Sequence, residues 1–543
     1  MSEADAEALR RTARRTWRFF ETFVTPADNM LPPDNFQDSP APAITHRTSP
    51  TNLGLYLLSV VGARDFGWVG TDGAIDRIEA TLATMSGLQR FRGHFYNWYD
   101  TRDLRPLDPR YVSTVDSGNL AGHLIALANA CREWKARPLA AKRRLDGVAD
   151  ALEMTRAESA RLRDGGQIQT VTLSQLDDAV AVVALALQQA RLSNDDLAAR
   201  LAGLRADAEI MVDIVEALAI ERGDGSGADM LFWAQATLKA IVAHGHDLAP
   251  SEHAARSAKA RLSMLEGTAR SMALAMDFRF LFNRSRRLLS IGFLAPKGAL
   301  DMNCYDLLAS EARLASFLAI AKGDVAAEHW FRLGRAVTPV EHGAALISWS
   351  GSMFEYLMPS LVMRAPAGSV LEQTNRLIVR RQIAYAAKLG LPWGISESAY
   401  NARDLEFTYQ YSNFGVPGLG LKRGLGEDKV IAPYATALAA MVDPRAAAAN
   451  LARLTEIGAL GRYGFYDALD YTPARVPEGE SVAIVRTFMA HHQGMTIVAI
   501  ADALFKGVMR RRFHAEPIVK DSELLLRERM PRESRPLERG RRK

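Results

Sequence analysis

Six stretches of this chain are largely apolar around the helix, and each follows a loop rich in polar and aromatic residues. They run from Leu53 to Ala63, Leu120 to Cys131, Tyr305 to Ala321, Met353 to Val362, Ile431 to Met441 and His491 to Leu504. A helix with no polar face must be covered on all sides. Amphipathic runs separate most of them, at 71–87, 325–335, 369–389 and 444–458, and another spans 4–24 with Leu9, Trp17, Phe20 and Phe23 available to one side. Buried helices alternating with half-exposed ones predict an all-α (α/α)6 toroid, a ring of inner helices inside a ring of outer ones. In such a toroid the loops that enter the inner helices gather at one end and build a cleft.

The rhythm breaks at 138–275, which is rich in Ala, Leu, Arg, Asp and Glu with helical runs near 138–163, 171–191, 194–222 and 250–275. We read it as a helical insertion on the flank of the barrel. Asp277 to Phe293 then alternates around a turn at Asn283-Arg284-Ser285, a small β-hairpin signal. The expected organisation is therefore 1–137 and 276–525 as the two parts of a catalytic barrel, 138–275 as the insertion, and 526–543 as a basic tail.

Charge and cysteine content narrow the function classes. The net charge of +5 is small for 543 residues, and much of it sits beyond Arg527. That argues for a solvated tail and against a nucleic-acid-binding face on the folded body. Cys131 and Cys304 are the only cysteines and lie in core-like contexts, so neither a disulfide framework nor a metal site is expected. Met1-Ser-Glu-Ala-Asp-Ala-Glu lacks a secretory apolar region, and no run approaches the roughly 18 apolar residues of a membrane helix. A cytoplasmic protein without membrane insertion is the expectation, with no cofactor.

The loops concentrate carboxylates beside large aromatics. Trp393-Gly-Ile-Ser-Glu-Ser-Ala-Tyr400 sets Glu397 among an indole, a phenol and two hydroxyls. Aromatic planes stack on sugar rings and carboxylates bond sugar hydroxyls, so this turn is a candidate carbohydrate site. Asp116 precedes an inner helix, where capping and ligand binding are equally open. Asp306 and Glu311 fall in Tyr305-Asp-Leu-Leu-Ala-Ser-Glu-Ala-Arg313, and on a helix they would diverge. A carboxylate in such an apolar run needs a partner or a raised pKa, and Arg313 is the available partner. Glu355, Asp404, Glu406, Asp467 and Asp470 stand in similar loops, each open to a role as cap, ion pair or sugar ligand. The pair His491-His492 diverges by about 100° on a helix and has no HExxH or Cys companion, which disfavours a metal.

Several of these stretches together resemble a known family. Gly93-His-Phe-Tyr-Asn-Trp-Tyr-Asp100, Ser113-Thr-Val-Asp-Ser-Gly-Asn-Leu120, Tyr305 to Arg313, Trp393 to Tyr400 and Thr487-Phe-Met-Ala-His-His-Gln-Gly-Met495 are similar to the glucoamylase-like middle domain of bacterial cyclic β-1,2-glucan synthases, itself related to β-1,2-glucanases. The resemblance runs from about Trp17 to about Arg529. It implies an (α/α)6 barrel acting on linear β-1,2-glucan, cutting the chain and joining the new end to its own far end with retention. Carried over by motif, Glu311 and Glu397 become the catalytic pair, with Glu397 as acid/base and Glu311 as nucleophilic partner. Asp116, Glu355, Tyr400, His491 and His492 become substrate-binding or supporting groups, and Trp98, Trp393 and Tyr411 sugar-stacking platforms.

Such synthases carry a glycosyltransferase region before this domain and a phosphorylase-like domain after it, and the present sequence holds neither. The resemblance thus implies either a domain excised from a synthase, at the cytosolic face of the inner membrane, or a free-standing relative. The alternatives in function are an endo-β-1,2-glucanase and a non-catalytic β-glucan-binding domain.

Overall fold

The computed structural model describes residues 1–164, 171–192, 196–222 and 227–529. Most of the expected basic tail therefore lies outside the described residues. Outer and inner helices alternate along the chain. The first outer helix α1 (Glu3–Phe23) leads to inner α2 (Pro50–Phe66), outer α3 (Thr71–Gly87) and inner α4 (Thr114–Ala136). Four helices then intervene, α5 (Ala141–Asp164), α6 (Val171–Leu192), α7 (Leu197–Arg222) and α8 (Ala228–Leu248). The alternation resumes with outer α9 (Glu252–Ala275), inner α10 (Arg313–Ala321), outer α11 (Glu328–Arg332) and inner α12 (Met353–Leu357). Outer α13 (Val370–Leu389), inner α14 (Pro433–Ala439), outer α15 (Pro444–Glu456) and inner α16 (Ala490–Leu504) complete it.

The inner helices form a closed ring. Helix α2 packs against α4, α4 against α10, α12 against α14, α14 against α16, and α16 against α2. At the remaining joint, α10 to α12, one side chain bridges the two helices. The buried guanidinium of Arg313 donates to the carbonyl of Glu355 (2.9 Å) and to that of Tyr356. The architecture is the expected (α/α)6 toroid.

Local chemistry explains why these segments become helices of these lengths. Every residue of α2 is buried; Ser49 caps it by accepting from the Asn52 amide (3.2 Å), Pro50 fills its first turn, and Gly67 ends it at φ 85°. Inner helices approach closely where one of them carries glycine. A Cβ at Gly118 of α4 would lie 2.6 Å from the Ala315 Cα of α10, and one at Gly494 of α16 only 2.7 Å from the Leu55 Cβ of α2.

Some boundaries differ from the sequence reading. The apolar run from Tyr305 is helical only from Arg313, because Leu308 and Gly334 bond to loop partners and hold 305–312 in extended and turn conformations. Asp306 and Glu311 are therefore not related by helical geometry. Helix α12 passes into a 3₁₀ turn at Met358–Leu361, where Pro359 has no amide to donate. The expected hairpin forms as Phe282–Asn283 against Leu288–Leu289, preceded by a 3₁₀ turn.

Helix α8 was not foreseen; it buries Met230, Trp233, Ala234 and Ile241. Helix α9 packs on α4 and contributes Leu262, Leu265, Ala269 and Met272 to the barrel core. Hydrophobic packing thus separates α5–α8, which share a core around Leu176, Val183, Met211 and Val215, from the barrel. The two bodies are joined through α1, whose Arg10, Arg15 and Arg18 pair with Asp150 (2.5 Å), Glu158 (3.1 Å) and Asp229 (2.7 Å), and by contacts of α2 with α5 and α3 with α8. Both cysteines are free, Cys131 buried and Cys304 half-buried.

Among the described residues no helix is long and apolar enough to cross a membrane. The close approach of α4 and α10 yields a direct test. Gly118→Ala should lower the unfolding free energy by about 2 kcal/mol, the range for an overpacked interior contact. Chemical denaturation measures it, with Gly87→Ala, whose added methyl meets nothing within 4 Å, as the neutral control.

Candidate active site

The loops that enter the inner helices meet at one end of the ring around an open cavity of about 420 Å³. Each inner helix, or the segment entering it, contributes to its wall. Asp34 and Arg47 come from the loop before α2, Trp98 from the loop before α4, and Glu311 from the segment before α10. Phe354 on α12, Glu397 and Tyr411 before α14, and His491 in the first turn of α16 complete the lining.

The turn that carries Glu397 is fixed by its neighbours, not by its own regular structure. Gln382 of α13 clamps Ile395 from both sides, accepting from its amide (2.9 Å) and donating to its carbonyl (2.7 Å). Asn450 of α15 does the same for Trp393, at 3.2 and 2.8 Å. Gly394 sits at φ 123°, and a Cβ there would lie 2.9 Å from the Thr436 hydroxyl, so the chain passes α14 only as glycine. Tyr434 of α14 donates to the Glu397 carbonyl (2.9 Å). After the turn, Ser398–Arg403 pairs antiparallel with Tyr409–Ser412, which brings Tyr411 back beside Glu397. The Tyr411 hydroxyl donates to Glu397 Oε1 at 3.0 Å.

Two carboxyl groups in this cleft are held away from their ordinary behaviour. Burial, and then the negative charge of Glu311, push the Glu397 carboxyl up to about 8. Burial, and then the charge of Glu355, push Glu311 up to about 7. Arg313 does not pair with Glu311 as the sequence suggested; its guanidinium is spent on the carbonyls of Ser310, Glu355 and Tyr356. Among the described residues lining the cleft, Arg47 is the sole Arg or Lys, and it is paired with Asp34 (3.0 Å) while lying over the Trp98 ring (4.2 Å). Burial keeps His491 neutral at neutral pH, with its pKa near 3.

The remaining expected residues divide. Asp116 is on the wall; Ser113 is the cap of α4, leaving the Asp116 carboxylate to accept from Thr51 (2.6 Å) and face the cavity. In the amide orientation that satisfies both neighbours, Asn97 donates to Asp116 (3.1 Å) and accepts from the Trp98 indole (3.2 Å). Trp98, Tyr411 and His491 also line the cavity.

Glu355, Trp393, Tyr400 and His492 stand behind the wall. Glu355 is saturated by its own capping loop, accepting from the Ser348 hydroxyl (2.7 Å), the Ser350 amide (3.0 Å) and the Ser350 hydroxyl (2.7 Å). Trp393 belongs to the hydrophobic core, and Tyr400 packs edge-on against Phe414 under Arg475. His492 is buried, stacked on Tyr434 at 3.6 Å, with Nδ1 2.5 Å from Asp467. Sequence reasoning passed over Asp34, Arg47, Thr51 and Tyr305 as site residues. Their signal was position alone, since each belongs to a loop entering an inner helix or, for Thr51, to the helix's first turn.

Comparison with known proteins agrees with this geometry. Residues 303–517 match the family described as "Putative glucoamylase". The chain is 50% identical over 534 residues to the cyclic β-(1,2)-glucan synthase NdvB of Rhizobium meliloti (strain 1021), covering 98% of the chain and 19% of that relative. The chain thus spans about a fifth of the relative's length. Among solved structures, the chain resembles an endo-β-1,2-glucanase from Chitinophaga pinensis in complex with sophorotriose and glucose. The TM-score is 0.60 at 11% identity, over 97% of this chain and 99% of that one. A mutant endo-β-1,2-glucanase from Talaromyces funiculosus in complex with β-1,2-glucan gives 0.60 at 11% identity, over 96% and 88%. These structures share the fold.

The raised carboxyls carry a stability signature. A group whose folded pKa exceeds its unfolded value supports folding below the unfolded pKa, and that support is lost as pH rises through the folded pKa. For Glu311 and Glu397 the loss runs from the ordinary glutamate range up to about 7 and about 8. Glu397→Gln should therefore melt about 2 °C above the native protein in alkaline buffer and no higher than it in acidic buffer. Melting curves across pH check this; a variant less stable than the native protein at every pH would contradict it.

Proposed function

We propose that the protein cleaves an internal β-1,2-glucosidic bond of linear β-1,2-glucan and transfers the chain intramolecularly, giving cyclic β-1,2-glucan with retention. The observation that carries this reading is the pair Glu311 and Glu397, facing one open cleft without a cationic partner, in a chain half identical to a region of a cyclic glucan synthase. Glycosidic cleavage needs one carboxyl to protonate the departing oxygen and another to act as base or nucleophile. Burial lifts both groups into the same range, Glu397 slightly the higher, so they titrate as one coupled pair and hydrogen bonding guides where the shared proton acts. Tyr411 donates to Glu397 and supports a carboxylate there, whereas the side-chain donor to Glu311 is the Ser310 hydroxyl at 3.3 Å.

We therefore place the nucleophilic role on Glu397 and the proton on Glu311, exchanging the roles that the resemblance implied. The Glu397 carboxylate attacks the anomeric carbon as Glu311 gives its proton to the leaving sugar oxygen. A hydroxyl from the far end of the same chain then loses its proton to Glu311 and displaces Glu397 from that carbon. Asp116 and Arg47 bond sugar hydroxyls in this reading, and Trp98 and Tyr411 offer ring faces. In a synthase-like setting the partners would be glycosyltransferase and phosphorylase-like domains, and the location the cytosolic face of the inner membrane.

Hydrolysis is the second reading, favoured by the likeness to structures named as endo-β-1,2-glucanases. Incubation with linear β-1,2-glucan followed by mass spectrometry separates the two, because cyclic products weigh one water less than linear ones. New reducing ends accumulating in step with cleavage would establish hydrolysis instead. Glu311→Gln and Glu397→Gln should each lose activity by about 10³-fold. A donor whose leaving group needs no protonation should restore Glu311→Gln and not Glu397→Gln; the opposite pattern would return the roles to the order implied by the resemblance.

The pH profile follows from the same pair. Below about pH 7 the pair holds two protons and Glu397 cannot attack; above about pH 8 it holds none and no acid remains; between them the one shared proton must sit on Glu311 for the reaction to proceed. The pair should titrate with two apparent values, giving a bell-shaped kcat/KM with its maximum near neutral to slightly alkaline pH. An acid limb in the ordinary glutamate range would show that the cleft does not raise these groups.

A further inference from the structure

A line of polar groups runs from Glu397 into the protein interior, beyond anything that two-carboxylate cleavage requires. The Tyr411 hydroxyl that donates to Glu397 also lies 3.3 Å from His492 Nε2. On the far side of that ring, His492 Nδ1 lies 2.5 Å from Asp467 Oδ1. The other oxygen of Asp467 accepts the Ala399 amide at 2.7 Å, one strand position away from Ser398 and the catalytic turn. Asp467 and His492 are 2% and 1% exposed, and Tyr434 seals the ring by stacking on it at 3.6 Å. Tyr411 is the group that hydrogen-bonds both to this buried pair and to the carboxyl in the cleft.

We propose that Asp467, His492 and Tyr411 form a proton-carrying line through which Glu397 exchanges its proton with a buried carboxyl instead of with the cleft. This rests on Glu397 being a reacting carboxylate. In one state Asp467 holds the proton and donates to Nδ1, Nε2–H donates to the phenol oxygen, and the phenol donates to ionised Glu397. In the other state Glu397 holds the proton and donates to the phenol oxygen, the phenol donates to Nε2, and Nδ1–H donates to ionised Asp467. Each proton moves one place, the heavy atoms stay where they are, and the net charge of the group is the same in both states. Asp467 and His492 are thus positioning residues that set which way Tyr411 points its hydrogen.

The two ends are matched for such an exchange. Burial lifts Asp467 to about 7, close to Glu397 at about 8, and burial also holds His492 neutral, so the ring passes a proton without needing a charged stage. The other titratable groups facing the line are Glu311, Glu355, Asp116 and His491 on the cleft side and Tyr434 beneath the ring. His491 Nε2 lies 3.4 Å from the same phenol oxygen, yet its ring borders the cleft.

Asp467→Asn is the informative variant. The Ala399 amide needs an acceptor, so the asparagine oxygen must face it, leaving the NH₂ to donate to His492 Nδ1. That locks the Nε2–H form and a permanent Tyr411 donation to Glu397, with no proton left to exchange. We expect the acid limb of kcat/KM to move down by about one pH unit and KM to stay near the native value. A role confined to holding the ring in place would lower kcat without moving the limb. In the native protein, ¹⁵N resonances of His492 should pass from the Nε2–H to the Nδ1–H form as pH rises across the same range, with the ring neutral throughout. An unmoved limb in Asp467→Asn, or a His492 tautomer constant across that range, would overturn the proposal. Native turnover in Glu397→Gln would instead overturn the reading of Glu397 itself.

Discussion

Two carboxyl groups are kept in a half-enclosed cleft without a cation to neutralise them, and much of the surrounding structure serves that condition. An opposite charge within about 4–6 Å lowers a carboxyl by about 1–3 pK units, which would undo the shift of Glu311 to about 7. Arg313 is close enough in sequence to do so. Its guanidinium is bonded to three backbone carbonyls, two of them on α12, so its charge lowers Glu311 without a direct ion pair and is outweighed by burial and the charge of Glu355. The same bonds tie α10 to α12, so one side chain both braces the inner ring and leaves Glu311 free of a direct ion pair. Glu355, the charge next to Glu311, is in turn held by serine hydroxyls and amides and has no freedom to swing into the cleft.

The outer helices contribute more than cover. Gln382 of α13 and Asn450 of α15 reach inward to bond the backbone of the Glu397 turn on both sides. A turn of irregular backbone has no ladder of its own, and its polar groups must be satisfied from elsewhere. Precision at the site therefore comes from amides on outer helices, at positions that look like ordinary polar residues on an amphipathic face.

This explains what the sequence disclosed and what it withheld. Apolar runs repeated along the chain define inner helices strongly, because a helix without a polar face has few places to go. The ring and the gathering of the entry loops at one end followed from that alone. The singling out of Glu311 and Glu397 came from the family motifs, since composition offered many comparable carboxylates. Glu355 had a legible signature of its own, Ser352 followed three residues later by a glutamate, which is a capping box and describes the bonds it makes. Trp393 and Tyr400 were misplaced because aromatic residues in a loop signal either a ligand face or a core anchor, and only packing distinguishes them. The helical start at Tyr305 was misjudged because partners in another loop, invisible to local pattern, hold 305–312 extended.

The closure of the ring also dictates when this chain can acquire a cleft at all. Strand residues 35–37 pair with 487–489, the Thr487 hydroxyl donates to the Phe36 carbonyl 451 positions away, and α1 rests on α16. Contacts so distant in sequence must wait for the intervening loop to be organised. Until α16 docks, α2 and α14 each present an uncovered apolar flank, the kind of surface that invites misassembly in large chains. Assembly and shape thus coincide: the helix that seals the last gap also brings His491 to the cleft wall and His492 behind it, so the cleft is complete only when the ring is.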